Sequence, residues 1–99
     1  MVKKKVVWDD EAKTTFKVAI TYIRQDSALQ AEKVKSEILE ATRKLAERPE
    51  MHPPDKYRSD KDPQYRAFEK HSYRISYLIT NDAIRILRLR HVRQEPKNY

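Results

Sequence analysis

The stretch YRISYLITNDAIRILRLRH (residues 73–91) contains two strand-like runs joined by a turn. Side chains of a strand point to alternate faces with a period of two, so 73–80 places two tyrosines and two isoleucines on one face. The run 84–91 is rich in β-branched and other apolar residues interleaved with arginines. The chain contains no glycine, so the turn falls to residues 81–83, where asparagine and aspartate tolerate a positive φ. The stretch therefore predicts a β-hairpin.

The register of this hairpin decides which side chains share a face. A two-residue turn would mix charged and apolar side chains on both faces, whereas a three-residue turn separates them and places Arg74 opposite Arg90. Because burial of the apolar face sets the register, we expect the three-residue turn. In this register, one face packs on the helices and consists of Ile75, Tyr77, Leu87 and Leu89.

The other face of the hairpin presents three arginines, Arg74, Arg88 and Arg90. Like charges directly opposite each other on a sheet destabilise it by a few tenths to about 1 kcal/mol, so a plain scaffold gains nothing from Arg74 facing Arg90. A phosphate site does gain, because the arginine fork matches two phosphate oxygens at once. The pattern therefore favours phosphate binding on this face.

Two helices are predicted before the hairpin. In 9–25, acidic residues stand at the start and apolar residues follow at spacings of three and four. A second helix begins at Ser27, where SALQ fits a capping box, and ends before Pro49. The gap between the helices is so short that they should form an antiparallel helical hairpin.

The remaining segments complete the predicted fold. A β-branched run at 3–8 predicts a first strand, and 65–71 predicts another strand before the hairpin. Between them, 49–63 contains four prolines and many charges and is predicted to be a loop. The order β-α-α-β-β-β predicts an α+β fold, with a helical hairpin packed on a small antiparallel sheet, in a single domain over 1–99.

Charge and composition restrict the function. The net charge is +7, and residues 66–93 hold seven Lys/Arg against two acidic residues, whereas 9–48 hold eight of each. Such a concentrated surplus favours a polyanionic partner, although a solvated basic surface without a partner is the alternative.

Several classes of site and location are disfavoured. Without cysteine there are no disulfides or thiolate metal sites, and three scattered histidines predict no metal or other cofactor. Without glycine there is no glycine-rich phosphate loop. No apolar run has the length of a signal peptide core or a membrane span, so we expect a cytoplasmic protein without a membrane partner.

The element order, the YRISY strand (73–77) and the terminal IRILRLRHVRQEP (84–96) together resemble the RelE/ParE toxin superfamily of type II toxin–antitoxin systems. The resemblance covers nearly the whole chain and includes AxxxF in the first helix and AxxVxxxI in the second. It implies a small basic toxin that inhibits growth, a role in plasmid stabilisation, and a cognate antitoxin encoded beside it.

The superfamily divides by target. RelE-like members cleave mRNA in the ribosomal decoding site, and ParE-like members poison DNA gyrase without catalysis of their own. From the resemblance and the arginine face we expect a ribosome-dependent mRNA endoribonuclease, with gyrase inhibition as the alternative. A nucleic-acid-binding domain unrelated to toxins is a further alternative.

For the endoribonuclease, the resemblance implies a metal-independent site at the ends of the last two strands. Arg74 and Arg90 would stabilise the phosphate attacked by the ribose 2′-OH, and His91 would act as acid or base. The register places His91 on the Tyr73 side, so it reaches this site only if the chain bends after Arg90. Glu69 is a candidate base, and the predicted nucleic-acid-binding residues are Arg66, Lys70, Arg88 and Arg93.

Overall fold

The computed structural model describes residues 4–93, which form two α-helices and a four-stranded sheet. The elements in chain order are β1 (Lys5–Trp8), α1 (Asp10–Asp26), α2 (Ala28–Arg43) with a 3₁₀ turn (Lys44–Ala46), β2 (Tyr65–Lys70), β3 (Tyr73–Ile79) and β4 (Ala83–His91). This order confirms the predicted α+β fold. Two parts of the predicted segments, Lys3 of the first strand and residues 94–96 of the terminal motif, lie outside the described residues.

The helical hairpin forms as the sequence predicts. Asp9 precedes α1, and acidic residues occupy its first turn, where the helix dipole favours negative charge. The Ser27 hydroxyl accepts a hydrogen bond from the Gln30 N–H at 3.1 Å, which satisfies one of the amide groups left without a helical partner at the start of α2. The second helix ends at Arg43, earlier than predicted, and continues as the 3₁₀ turn.

The strands lie in the order β1-β4-β3-β2. The β2–β3 and β3–β4 pairs are antiparallel, as predicted, but β1 runs parallel to β4. Parallel neighbours need a long crossover connection, and here both helices lie in the crossover from β1 back to the sheet. The core between the helices and the sheet includes Phe16, Ile20, Val34, Ile38, Leu45, Phe68, Ile75, Tyr77, Ile84, Ile86 and Leu89.

The β3–β4 hairpin contains both registers considered for it. Next to the turn, the Thr80 N–H donates to the Ala83 carbonyl at 2.9 Å, which is the register of a two-residue turn. A β-bulge beside Tyr77 then shifts the pairing by one residue, and beyond it Arg74 lies opposite Arg90. The predicted pairing of the two arginines is confirmed, whereas the predicted three-residue turn is wrong. The bulge supplies the extra residue that the turn does not.

The bulge also changes the composition of the buried face. Ile75, Tyr77 and Leu89 are buried, as predicted. Leu87 is only half-buried, and Tyr77 lies opposite Ile86, which is fully buried. The prediction that Leu87 belongs to the core is wrong, because the extra residue in β4 lets Ile86 occupy the position facing Tyr77.

The β2–β3 turn consists of His71 and Ser72, whose φ angles are 53° and 68°. This left-handed conformation costs a non-glycine residue roughly 1–2 kcal/mol. We therefore expect Ser72→Gly to raise the free energy of unfolding by up to about 1 kcal/mol, because the greater freedom of glycine in the unfolded chain offsets part of the gain. Urea denaturation measures the change.

The matched control is the same substitution inside a helix. Ser36 lies on the exposed side of α2, and Ser36→Gly should lower the free energy of unfolding by roughly 0.5 kcal/mol, because glycine is a poorer helix former than serine. Equal losses of stability in both variants would contradict the assignment of strain to the β2–β3 turn.

Candidate functional site

The sheet has two faces with different chemistry. The helix face packs against α1 and α2. We call the opposite face the arginine face, because Arg74, Arg88 and Arg90 project from it, whereas their buried neighbours Ile75 and Leu89 belong to the helix face. The predicted functional residues are distributed over both faces.

Residues 49–64, which we call the strap, run around the outer edge of β2. On the helix side, the Tyr77 hydroxyl donates to the Pro49 carbonyl at 2.7 Å. At the edge of the sheet, the Asp55 N–H donates to the Tyr65 carbonyl at 2.8 Å. From there the strap continues onto the arginine face, so this face is partly covered by the protein itself.

Arg74 is held in a buried ion pair beneath the strap. Its Nη2 lies 2.9 Å from Asp55 Oδ1 and its Nη1 lies 3.6 Å from Glu69 Oε2. Its guanidinium carbon is 4.7 Å from the centre of the Tyr57 ring. The sequence predicts that Arg74 is presented on this face and is available to a phosphate. The structure contradicts this prediction, because Arg74 is buried and neutralises the carboxylate of Asp55.

Arg90 and Arg88 lie beside this pair. Arg90 is opposite Arg74 in the sheet, and its guanidinium carbon is 5.3 Å from the centre of the Tyr57 ring. Lys56 Nζ lies 5.2 Å from the same centre, so the Tyr57 ring has three cations around it. Arg88 projects two residues before Arg90, opposite Ser76 of β3.

His91 lies on the helix face, on the other side of the sheet from Arg74 and Arg90. It pairs with Tyr73, and the two rings meet edge to face with centres 5.2 Å apart. Together with Tyr22 of α1, it borders an open cavity of about 380 Å³ between the helices and the end of the sheet. Of the three residues predicted to be catalytic, the structure therefore brings Arg74 and Arg90 together and places His91 on the other face.

The predicted nucleic-acid-binding residues are also separated. Arg66 donates from Nη1 to a strap carbonyl at 2.7 Å, and its buried Nε makes no hydrogen bond within residues 4–93. Lys70 Nζ faces α2, 3.9 Å from Glu37 Oε1. Arg93 follows β4 at the end of the described chain. Of the four, Arg88 is the one that the strand register places on the arginine face.

The two residues that organise the arginine face, Asp55 and Tyr57, were missed by the sequence analysis. Both lie in the strap, where no periodic pattern marks a buried position. Asp55 stands 19 residues before its partner Arg74, and no spacing rule connects them. An aspartate beside two prolines indicates only a turn.

The burial of His52 in the strap predicts that the stability of the fold depends on pH. Its ring stacks on Phe68 with centres 4.4 Å apart, and burial lowers the pKa of His52 below its ordinary value of 6.5. As the pH falls through 6.5, the imidazole of His52 is protonated in the unfolded chain but stays neutral in the folded chain. The free energy of unfolding therefore decreases until the pH reaches the lower pKa of the folded state. We expect the melting temperature to decrease as the pH is lowered from 7.5 to 5.5.

The variant His52→Phe tests whether His52 causes this pH dependence. Phenylalanine keeps the stacking on Phe68 but has no titratable nitrogen, so the loss of stability over this pH range should become smaller. Melting curves of both proteins at the two pH values give the comparison. An unchanged pH dependence in the variant would assign it to another group.

Within residues 4–93, no group of three or more His, Cys, Asp or Glu side chains is placed to bind a metal ion. In the same range, no helix combines the length and the apolar character needed to cross a bilayer.

Comparison with known proteins identifies related sequences and folds. Residues 6–96 match the family described as the ParE toxin of type II toxin–antitoxin system, parDE. Among curated proteins, none matches the chain. Among solved structures, a chain of the chromosomal ParDE TA system from P. aeruginosa aligns with a TM-score of 0.69 and 17% identity, covering 90% of this chain and 96% of that chain. This likeness is one of fold.

Proposed function

Because the chain belongs to the ParE toxin family of type II toxin–antitoxin systems, we propose that it arrests growth by binding DNA gyrase, without catalysis of its own. Gyrase poisoning is the activity that the resemblance implies for ParE-like members. The toxin of such a system has a cognate antitoxin as its partner.

The position of His91 and the burial of Arg74 support this proposal. Cleavage of RNA by its 2′-OH needs cations and a proton-transfer group around one phosphate. Here Arg74 is engaged with buried Asp55, and His91 lies on the opposite face of the sheet. These residues would suit a binding protein better than a nuclease.

An mRNA endoribonuclease is the second candidate, favoured by one observation. Arg88, Arg90 and the exposed carboxylate of Glu69 share the arginine face. Two cations and a base on one face are parts that phosphate cleavage uses. This activity would have to proceed without His91 and without a freely accessible Arg74.

Purified toxin distinguishes the two activities. We expect it to inhibit supercoiling of relaxed plasmid by gyrase and to increase double-strand breaks, while mRNA on translating ribosomes stays intact. The His91→Ala toxin should still inhibit gyrase, because the proposal gives the toxin no catalytic step and His91 borders the helix-side cavity. Cleaved mRNA together with unaffected gyrase would overturn the proposal.

We further propose that the antitoxin covers the outer side of the helical hairpin and the open cavity bordered by Tyr22 and His91 with an amphipathic helix or extended tail. Large apolar side chains are exposed along the hairpin, with 64% of Val18, 67% of Tyr22 and 84% of Leu29 accessible. Isolated exposed apolar residues are common, but Val18 and Tyr22 lie together one turn apart on α1.

Co-expression tests this surface. The neighbouring open reading frame should restore growth and yield a co-purifying complex with the wild-type toxin. Tyr22→Glu should remain toxic but lose this rescue, whereas Thr14→Glu, on an exposed position of the same helix, should still be rescued. Rescue of both variants would place the antitoxin elsewhere.

A further inference from the structure

We propose that the arginine face binds the phosphate backbone of the DNA held by gyrase, with Arg88 and Arg90 as the contacting residues. This inference rests on the proposed function, because gyrase brings DNA to the toxin. It assigns the face opposite the helices to DNA and leaves the helical hairpin to other partners.

The first support is the placement of the two arginines. Arg88 and Arg90 are two residues apart in β4 and lie opposite Ser76 and Arg74, so their side chains leave the sheet on the same side. They lie in the part of β4 that pairs with β3, beyond the last pairing of β4 with β1 at Ile86. A rigid strand fixes the spacing of the two guanidinium groups, and successive phosphates also present their charges at a fixed spacing.

The second support is the charge balance of the face. The carboxylates of Asp55 and Glu69 both pair with Arg74. Arg88, Arg90 and Lys56 add three further cations to the same region. Two other arginines near this face, Arg58 and Arg85, form pairs with Asp60 and Asp9, respectively. Counted over the described residues, the four cations Arg74, Arg88, Arg90 and Lys56 outnumber the carboxylates of Asp55 and Glu69 by two. A surplus of positive charge attracts a polyanion.

The third support is that the fold maintains an unfavourable arrangement. Arg74 and Arg90 are directly opposite each other, and like charges at such positions destabilise a sheet. Asp55 offsets the charge of Arg74 from within the protein. The guanidinium of Arg90 lies beside the Tyr57 ring, so it has less freedom to lose when it binds a phosphate.

The test compares two double variants with the same change in net charge. Arg88→Gln/Arg90→Gln removes the proposed contacts, and Arg24→Gln/Arg43→Gln removes two exposed arginines from the helices. Binding of the full-length toxin to a fluorescently labelled DNA duplex is measured by anisotropy at several salt concentrations. Melting temperatures establish that both variants are folded.

We expect the slope of log K against log salt concentration to decrease by about two in Arg88→Gln/Arg90→Gln, roughly one for each phosphate contact. Affinity for the duplex should fall at least about tenfold, and the helix variant should stay close to the wild type. A wild-type slope in the first variant, or an equal loss in the second, would overturn the assignment of this face to DNA.

A second measurement separates this inference from the proposed function. Capture of gyrase in the absence of DNA should be unchanged in Arg88→Gln/Arg90→Gln, whereas the yield of cleaved DNA in the presence of gyrase should fall. Loss of capture without DNA would mean that the face binds gyrase itself, which overturns the inference. If the wild-type toxin does not inhibit gyrase at all, the proposed function fails whatever its affinity for the duplex.

Discussion

Replacing Arg74 by alanine is expected to lower the free energy of unfolding by about 3–5 kcal/mol, because the carboxylate of Asp55 then stays buried without its cation. The side chain of Asp55 is 0% exposed and that of Arg74 is 9% exposed, so water screens neither partner. In a domain of this size, each kcal/mol shifts the melting temperature by about 4–8 °C. Urea denaturation and calorimetry should both detect the loss.

Arg90→Ala is the control for this prediction, since Arg90 lies opposite Arg74 on the same face. It removes one of two facing like charges, so stability should change little or rise slightly. The double variant Arg74→Gln/Asp55→Asn should lose less stability than the sum of the losses in Arg74→Gln and Asp55→Asn measured separately. The double variant leaves no unpaired buried charge, whereas each single variant leaves one. Early melting of Arg90→Ala together with normal melting of Arg74→Ala would reverse the roles of the two arginines.

This prediction changes how a loss of toxicity is interpreted. An inactive Arg74→Ala toxin would not by itself indicate catalysis, because the same substitution is expected to destabilise the fold and release the strap from the sheet. Activity measurements on this variant need a melting temperature beside them. Arg88 and Arg90 are better positions for functional tests, because they are only half-buried.

Ile86→Ala is expected to lower the free energy of unfolding by about 2–5 kcal/mol, since Ile86 is fully buried opposite Tyr77 and its truncation leaves a cavity. Leu87→Ala is the matched comparison, one residue further along the same strand. Leu87 is only half-buried, so its truncation should cost less than half as much. Urea denaturation of both variants measures the difference, and a larger loss in Leu87→Ala would contradict the position of the bulge.

The helices and strands could be predicted from the sequence because their signals are local. The capping box at Ser27 and the alternation in 73–80 each depend on a few neighbouring residues. The bulge could not be predicted in this way. The turn favours one register and the apolar face favours another, and a hairpin with a single register cannot satisfy both. The structure satisfies both preferences with one additional residue in β4.

The same distinction applies to the candidate site. Alternation along β3 and β4 correctly placed Arg74 opposite Arg90 and His91 beside Tyr73. The burial of Arg74 depends on Asp55, whose position follows from how an irregular, proline-rich segment folds onto the sheet. Such a contact is nonlocal and aperiodic, so neither hydrophobic spacing nor local propensity indicates it.

The bulge also makes β4 a place where the length of the chain can change. All pairings between β1 and β4 involve residues before Leu87, and the arginine pairing comes after it. Deletion of Leu87 would merge the two registers into the one set by the two-residue turn, and Arg74 would still face Arg90. Related chains can therefore differ by one residue here, so a gap within a central strand is compatible with the same fold and an intact arginine face.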